Sequence, residues 1–167
     1  MRLISRVTVF FLVVTLFFTM SIGLIYAEDV QQLELSKTSL NPGSFYYPFK
    51  RILEKGRERL IFSQESKRSF YTSLLRTRLS ELDFVVKNKV LSEIQTSSER
   101  FSYQAGILTQ ELIKQNNNDE KTKLIKEFEK YGKFLVYLRD NYSANSSFWM
   151  LIQHDINTLS ILSETLK

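Results

Sequence analysis

The side chains best suited to chemistry in this sequence are one histidine and a few carboxylates. His154 is the single histidine of the 167-residue chain, and Asp155 follows it directly. Histidine-based metal sites use two or three imidazoles, and a catalytic triad needs a nucleophile beside a positioned base. Adjacent helical residues point about 100° apart, so these two side chains do not form a base with its orienting acid. We predict that His154 is an ordinary helical histidine.

Two pairs of acidic residues could suggest acid–base catalysis, Glu127 with Glu129 and Asp119 with Glu120. Lysines surround both pairs, which is typical of a solvated helix face with i,i+4 ion pairs. The chain has no cysteine, so thiolate nucleophiles, Cys-ligated zinc, disulfides and a lipoprotein anchor are excluded. We therefore predict no catalytic residue, no metal site, no cofactor and no enzymatic activity.

Residues 1–27 have the composition of a signal peptide or signal anchor. Arg2 and Arg6 precede an uncharged apolar run over residues 7–25, an order that keeps the N-terminus in the cytoplasm and exports the remainder. Ala27 offers a small residue for cleavage, whereas the run itself is long enough to span a bilayer. Two outcomes stay open: secretion after cleavage near Ala27, or a membrane anchor through residues 7–25 with the C-terminal domain outside.

The formal net charge is +5, and removing the two arginines of the targeting segment leaves 21 basic against 18 acidic residues. Such a mixed surface lacks the concentrated positive charge of a nucleic-acid-binding protein, so we predict no nucleic-acid partner. Residues 28–47 are polar and end in a turn signal, Asn41-Pro42-Gly43-Ser44, so we interpret them as a tether and turn.

Residues 48–167 carry helical periodicity throughout, which predicts an all-α antiparallel bundle of about four to five helices. The predicted helices run from Pro48 to Ile61, from an N-cap at Ser63 to a break near Asn88, and from there to a polar boundary over residues 115–119. The last two start at Asn117 and at Ser147, the latter ending at Leu166. Helices two and three could instead form one long rod, and stacked helical hairpins are the alternative layout.

Two further expectations concern individual positions within these helices. The first helix places Phe49, Ile52, Leu53 and Leu60 on one side. Gly132 interrupts the apolar period of the fourth helix, and we expect it to allow close helix approach.

The stretch from Leu40 to Leu82 resembles a family of bacterial, exported or membrane-anchored domains of unknown function. The family's opening signature is Leu-Pro-x-Ser-x-x-Tyr-Pro-x-Lys, followed by a Phe-Asp/Ser-x-Glu-x-Lys step and an Arg-Leu-x-Glu helix. The matching residues here are Leu40, Ser44, Tyr47, Pro48, Lys50, Arg51, Glu54, Phe62, Glu65, Lys67 and the run from Arg78 to Leu82. Asn41-Pro42-Gly43 replaces the usual single proline, so the turn is one residue longer. The resemblance implies an all-helical domain beyond the membrane, sometimes beside membrane-spanning regulators, and it implies no reaction.

The signature residues also have a direct physical interpretation. Tyr47 and Pro48 fix the start of the first helix, and Lys50 or Arg51 can reach a carboxylate such as Glu81 on a neighbouring helix. This arrangement suggests either a structural staple between two helices or a partner-binding surface at the same place.

Four aromatic residues form a second candidate surface. Phe45, Tyr46, Phe148 and Trp149 cannot all face a core, and an exposed aromatic cluster would mark a partner or membrane-interface site. A second core layer is the alternative interpretation.

These observations favour a non-enzymatic, exported or membrane-tethered helical module that binds another envelope component, most simply a protein. Two alternatives stay open. One is a self-associating structural protein in which the apolar seam of helices two and three pairs between chains. The other is an extracytoplasmic sensor domain with a small ligand between its helices.

Overall fold

The computed structural model describes residues 33, 35 and 40–167. Within this part of the chain there are five α-helices and no strand, which confirms the predicted all-α fold. The helices are α1 (Tyr47–Arg59), α2 (Gln64–Lys87), α3 (Leu91–Gln115), α4 (Asn118–Arg139) and α5 (Ser147–Leu166). The targeting segment, its apolar run and the cleavage point lie outside the described residues. None of the described helices is both long and apolar enough to cross a bilayer.

Local side-chain chemistry sets the helix boundaries. The side chains of Ser63, Asn117 and Ser146 accept hydrogen bonds from backbone N–H groups in the first turns of α2, α4 and α5. Each bond satisfies a donor that the helix itself leaves without a partner. The predicted caps at Ser63 and Asn117 are therefore present in the structure.

Helices α2 and α3 are separate, so the single-rod alternative is wrong. The side chain of Asn88 donates to the carbonyl of Phe84, which satisfies one of the last acceptors of α2. Lys89 then takes φ of 54°, a left-handed conformation that a continuing helix cannot contain. The chain reverses there, and α3 starts at Leu91.

Four of the helices form two antiparallel hairpins. Helix α2 packs along α3, and α4 packs along α5, each pair joined by a short connection. The two hairpins pack together mainly through α3 of the first and α5 of the second. Helix α4 makes smaller contacts with α2 and α3. Helix α1 lies outside this four-helix arrangement and is held mainly by side chains.

The core lies between the two hairpins and consists mostly of residues at the predicted helical spacing. Its buried apolar side chains include Tyr71, Leu75, Leu79, Leu82, Val86, Ile94, Phe101, Ala105, Leu108, Leu112, Leu124, Phe128, Tyr131, Leu135, Leu138, Ile152, Leu159 and Leu166. The apolar seam of α2 and α3 is thus covered within one chain, so pairing between chains through that seam would require the bundle to open.

Gly132 does not bring two helices together, and the expectation of close approach was wrong. A Cβ atom built at Gly132 meets no neighbouring helix within 4 Å. The residue instead lines a groove of about 290 Å³ between α4 and α5.

Candidate interaction site

Helix α1 turns its charged face toward the bundle. Tyr47 is buried, and Lys50, Arg51, Glu54 and Glu58 are partly buried. In a helix with 3.6 residues per turn, these five positions occupy one face. Because polar contacts hold this face to the bundle, α1 packs in the opposite sense to an ordinary amphipathic surface helix.

Glu81 of α2 is the centre of the contacts that hold α1. Tyr47 Oη donates to Glu81 Oε2 at 2.8 Å, and Lys50 Nζ lies 2.7 Å from Glu81 Oε1. Arg78, one turn earlier on α2, donates to Glu81 Oε2 at 2.6 Å. The structure thus places Lys50 against Glu81, as the sequence predicted, and adds Tyr47 and Arg78 to the same carboxylate.

Arg78 joins the two helices through a second carboxylate. Its guanidinium also pairs with Glu54 of α1, and only 1% of the Arg78 residue surface is exposed. Burial alone would raise the pKa of Glu81, but the positive charges of Arg78 and Lys50 hold that pKa below its ordinary value. The Glu81 carboxylate is therefore ionised and fully paired at neutral pH.

Tyr47 lies between two cations. Arg100 of α3 donates to Tyr47 Oη at 3.2 Å, and its guanidinium carbon is 5.1 Å from the ring centroid. Lys50 Nζ lies 5.6 Å from the same centroid. Burial and the adjacent carboxylate of Glu81 raise the pKa of the Tyr47 phenol, so it remains a donor to Glu81. The tyrosine links α1 to both α2 and α3.

The other signature residues serve α1 itself. Arg51 does not reach Glu81, because its guanidinium pairs with Glu54 of the same helix at 2.9 Å. Pro48 is exposed in the first turn of α1, a position that lacks an intrahelical N–H partner in any helix.

The opposite face of α1 is apolar and exposed. Phe49, Ile52, Leu53 and Leu60 share one side, as predicted, and each is between 60% and 73% exposed. Lys55, Arg57 and Arg59 are exposed along the edges of this stripe, whereas both acidic residues of α1 bind partners on the inner face. We call these seven side chains the outer face of α1.

A groove of about 820 Å³ runs between α1 and α2 beside the outer face. Its α1 wall contains Phe49 and Leu53 together with the charged residues Lys50, Glu54 and Arg57. Phe70 and Leu74 form part of its α2 wall. The groove is not closed, since its α2 side includes the exposed residues Glu65, Ser66 and Ser69.

The four predicted aromatic residues divide into two pairs. Phe45 and Tyr46 precede α1, are strongly exposed, and pack edge to face with ring centroids 5.4 Å apart. Phe148 is partly buried against Tyr142, and Trp149 is partly buried under the guanidinium of Arg139. Phe45 and Tyr46 thus directly precede α1 in the chain, while Phe148 and Trp149 pack at the start of α5.

His154 and Asp155 point to different environments. His154 is exposed, whereas Asp155 is 1% exposed and receives a hydrogen bond from Ser102 of α3 at 2.5 Å. Burial raises the pKa of Asp155 to about 7, against the lowering effect of hydrogen bonds from Ser102 and Ser98. Its second oxygen, Oδ2, has no hydrogen-bond partner among the described residues.

Sequence reasoning missed Arg78 and Asp155 as buried polar groups, and it missed Arg100 as a half-buried partner of Tyr47. A signal existed for two of them. Arg78 lies three residues after the core residue Leu75, and Asp155 lies three residues after the core residue Ile152. A charged residue at core spacing indicates a buried polar contact, because an isolated buried charge is strongly unfavourable. Arg100 carried no such signal.

The described residues contain no group of three or more His, Cys, Asp or Glu side chains able to hold a metal ion. The polar cluster at α1 consists of carboxylates already paired with arginine and lysine. Such paired groups hold α1 in position against α2. The exposed apolar surface of α1 is the part of this region that is free to contact another molecule.

The fold and this region define a small all-α domain with a peripheral helix attached by a buried ion-pair network. The chain belongs to a family described as a domain of unknown function, DUF5667, whose pattern matches residues 39–133. The match covers α1, α2, α3 and most of α4. It contains the residues of the polar cluster around Glu81 that holds α1 to the bundle, here called the α1 network: Tyr47, Lys50, Glu54, Arg78, Glu81 and Arg100. Neither a curated protein nor a solved structure matches the chain.

Proposed function

We propose that this protein is a non-enzymatic, exported or membrane-tethered helical module that binds another component of the cell envelope. The outer face of α1 is the observation that carries the proposal. Large exposed apolar stripes rimmed by polar residues mark interaction sites in soluble domains. Here the stripe lies on a helix whose inner face is fixed by the network of Tyr47, Arg78 and Glu81. The inner contacts therefore fix the position of the outer face, and its apolar residues remain exposed and are not part of the core.

Photocrosslinking in intact cells tests this proposal. A photoreactive phenylalanine in place of Ile52 samples the outer face, and the same group in place of Ile161 on α5 is the control. Ile161 is a matched position, because the two isoleucines are 65% and 66% exposed. We expect a defined adduct, with protein or lipid, from position 52 and none from position 161. Equal labelling from both positions, or an adduct only with a second copy of the chain, would contradict the proposal.

The groove beside α1 favours a second candidate, an extracytoplasmic domain that senses a small apolar ligand. Its volume of about 820 Å³ lies within the usual range for ligand sites. Ligand sites usually enclose most of the ligand surface, however, and one wall of this groove is lined by solvent-exposed polar residues. Native mass spectrometry of the chain purified from cells tests this candidate. A small apolar molecule that stays bound to the wild-type chain and is lost in Leu53→Ser would support it.

A further inference from the structure

We infer that the outer face of α1 binds an anionic bilayer surface, with the helix lying parallel to the membrane plane. This inference rests on the proposed function and names the envelope component. Helices that lie in a bilayer interface combine an aromatic and aliphatic face with lysine and arginine along its borders. Helix α1 has this combination on the side that faces away from its own bundle.

The charge distribution on the exposed side of α1 favours an anionic lipid surface as the binding partner. The cations Lys55, Arg57 and Arg59 are exposed at the edges of the apolar stripe, and the guanidinium carbon of Arg57 also lies 5.7 Å from the ring centroid of Phe70 on α2. Both carboxylates of α1 are turned inward, Glu54 toward Arg78 and Glu58 toward Tyr71. The exposed side of the helix therefore presents positive charge and apolar surface, which complements anionic headgroups above an acyl layer.

Exposed aromatic residues also stand directly before and shortly after α1 in the chain. Phe45 and Phe62 are 90% and 92% exposed, and Tyr46 is also exposed. Tyrosine favours the headgroup level of a bilayer because its ring is apolar and its hydroxyl is polar, whereas the two phenylalanines add apolar surface. In sequence, this region follows the apolar run of residues 7–25, whose predicted insertion would keep the domain at a membrane.

The three edge cations are expected to contribute additively to the free energy of binding, so their effects on the affinity multiply. Each lysine or arginine near an anionic leaflet contributes about fivefold to binding, so neutralising all three lowers the affinity of the face by roughly a hundredfold. In a neutral bilayer, only the apolar stripe would contribute.

Fluorescence quenching in nanodiscs tests the inference directly. The chain has no native cysteine, so Ile52→Cys and Ile161→Cys each give one labelling site for an environment-sensitive fluorophore. The full-length chain is synthesised in a cell-free system with nanodiscs, which keeps residues 1–27 attached. The discs contain either phosphatidylcholine alone or phosphatidylcholine with one-third phosphatidylglycerol, and both carry a quencher in the acyl layer.

We expect strong lipid-phase quenching from position 52 in anionic discs, weaker quenching in neutral discs, and little from position 161 in either. Adding Lys55→Gln, Arg57→Gln and Arg59→Gln should reduce the signal from position 52 to the neutral-disc level. A label at position 52 that stays accessible to aqueous iodide in anionic discs would overturn the inference. Protection from iodide without lipid quenching would also overturn it, since a second copy or a protein helix would then cover the face. A protein adduct from Ile52 in cells would leave the proposed function standing and exclude the lipid surface.

Discussion

Arg78 and Glu81 lie three positions apart on α2, and their side chains meet at 2.6 Å while each residue is only 1% exposed. The same spacing on α4 joins Glu120 to Lys123 at 2.8 Å in an exposed pair. One chain thus contains an enclosed and a solvated version of the same i,i+3 ion pair. The two should differ greatly in what they contribute to stability, because removing one partner of a buried pair leaves an uncompensated charge.

We predict that Arg78→Met lowers the free energy of unfolding by about 3 kcal/mol or more, since it leaves Glu81 and Glu54 without their shared guanidinium. Urea unfolding followed by circular dichroism measures the change. Lys123→Met is the matched control and should leave the midpoint unchanged. Equal effects of the two substitutions would show that the α1 network does not support the fold.

Tyr47→Phe should loosen α1 without unfolding the bundle. The substitution removes the hydroxyl that donates to Glu81 and accepts from Arg100, at a cost of about 1 to 2 kcal/mol. Hydrogen exchange measured by mass spectrometry should show faster exchange over Tyr47–Arg59, with the amides of α3 unchanged. Tyr103→Phe, at a strongly exposed tyrosine of α3, is the control. Uniform acceleration in all helices would contradict a local role for Tyr47.

Asp155 should make stability fall as pH rises toward neutrality. Its pKa of about 7 in the folded chain exceeds the ordinary value of 3.8, so the folded state binds the proton more tightly than the unfolded state. The stabilisation is complete below about pH 4 and is lost as pH rises through 7, a change on the order of 4 kcal/mol.

Asp155→Asn isolates this effect, because the neutral amide does not titrate. Other carboxylates, such as Glu81 with its lowered pKa, act in the opposite sense at acidic pH in both proteins. The difference in unfolding free energy between wild type and Asp155→Asn should therefore grow in favour of the variant from pH 4 to pH 7. Parallel profiles would show that Asp155 keeps an ordinary pKa.

Two glycines, Gly132 and Gly43, should respond to alanine in opposite directions. Gly132 lies within α4 with open space around it, so Gly132→Ala should stabilise the protein by about 0.5 to 1 kcal/mol through helix propensity. Gly43 has φ of 86°, a left-handed conformation that residues with a side chain rarely adopt, so Gly43→Ala should destabilise it. Thermal unfolding compares both variants, and a loss of stability in Gly132→Ala would mean that the groove between α4 and α5 closes in solution.

Much of the fold can be predicted from local patterns in the sequence. The caps at Ser63 and Asn117 need only a side chain and the next turn of the same helix, and the break after Asn88 follows from short-range chemistry as well. Leucine and phenylalanine spacing then identifies the core of α2 to α5, since those helices pack apolar faces together as expected.

The orientation of α1 could not be predicted in the same way. The sequence shows that Phe49, Ile52 and Leu53 share a side, but the usual rule would place that side against the bundle. The outcome depends on Arg78, Glu81 and Arg100, which lie on other helices and come together only in the folded chain. Asp155 is a similar case, because its partners Ser98 and Ser102 belong to α3.

The reversed packing of α1 separates two selective pressures that most helices combine. In an ordinary surface helix the apolar positions are constrained by folding, and the polar positions are free to drift. In α1 the charged inner positions, such as Lys50 and Glu54, are constrained by folding, whereas exposed apolar positions such as Ile52 contribute little to the bundle. Under the proposed function, a few substitutions on the outer face would change what the domain binds without any compensating change in the bundle.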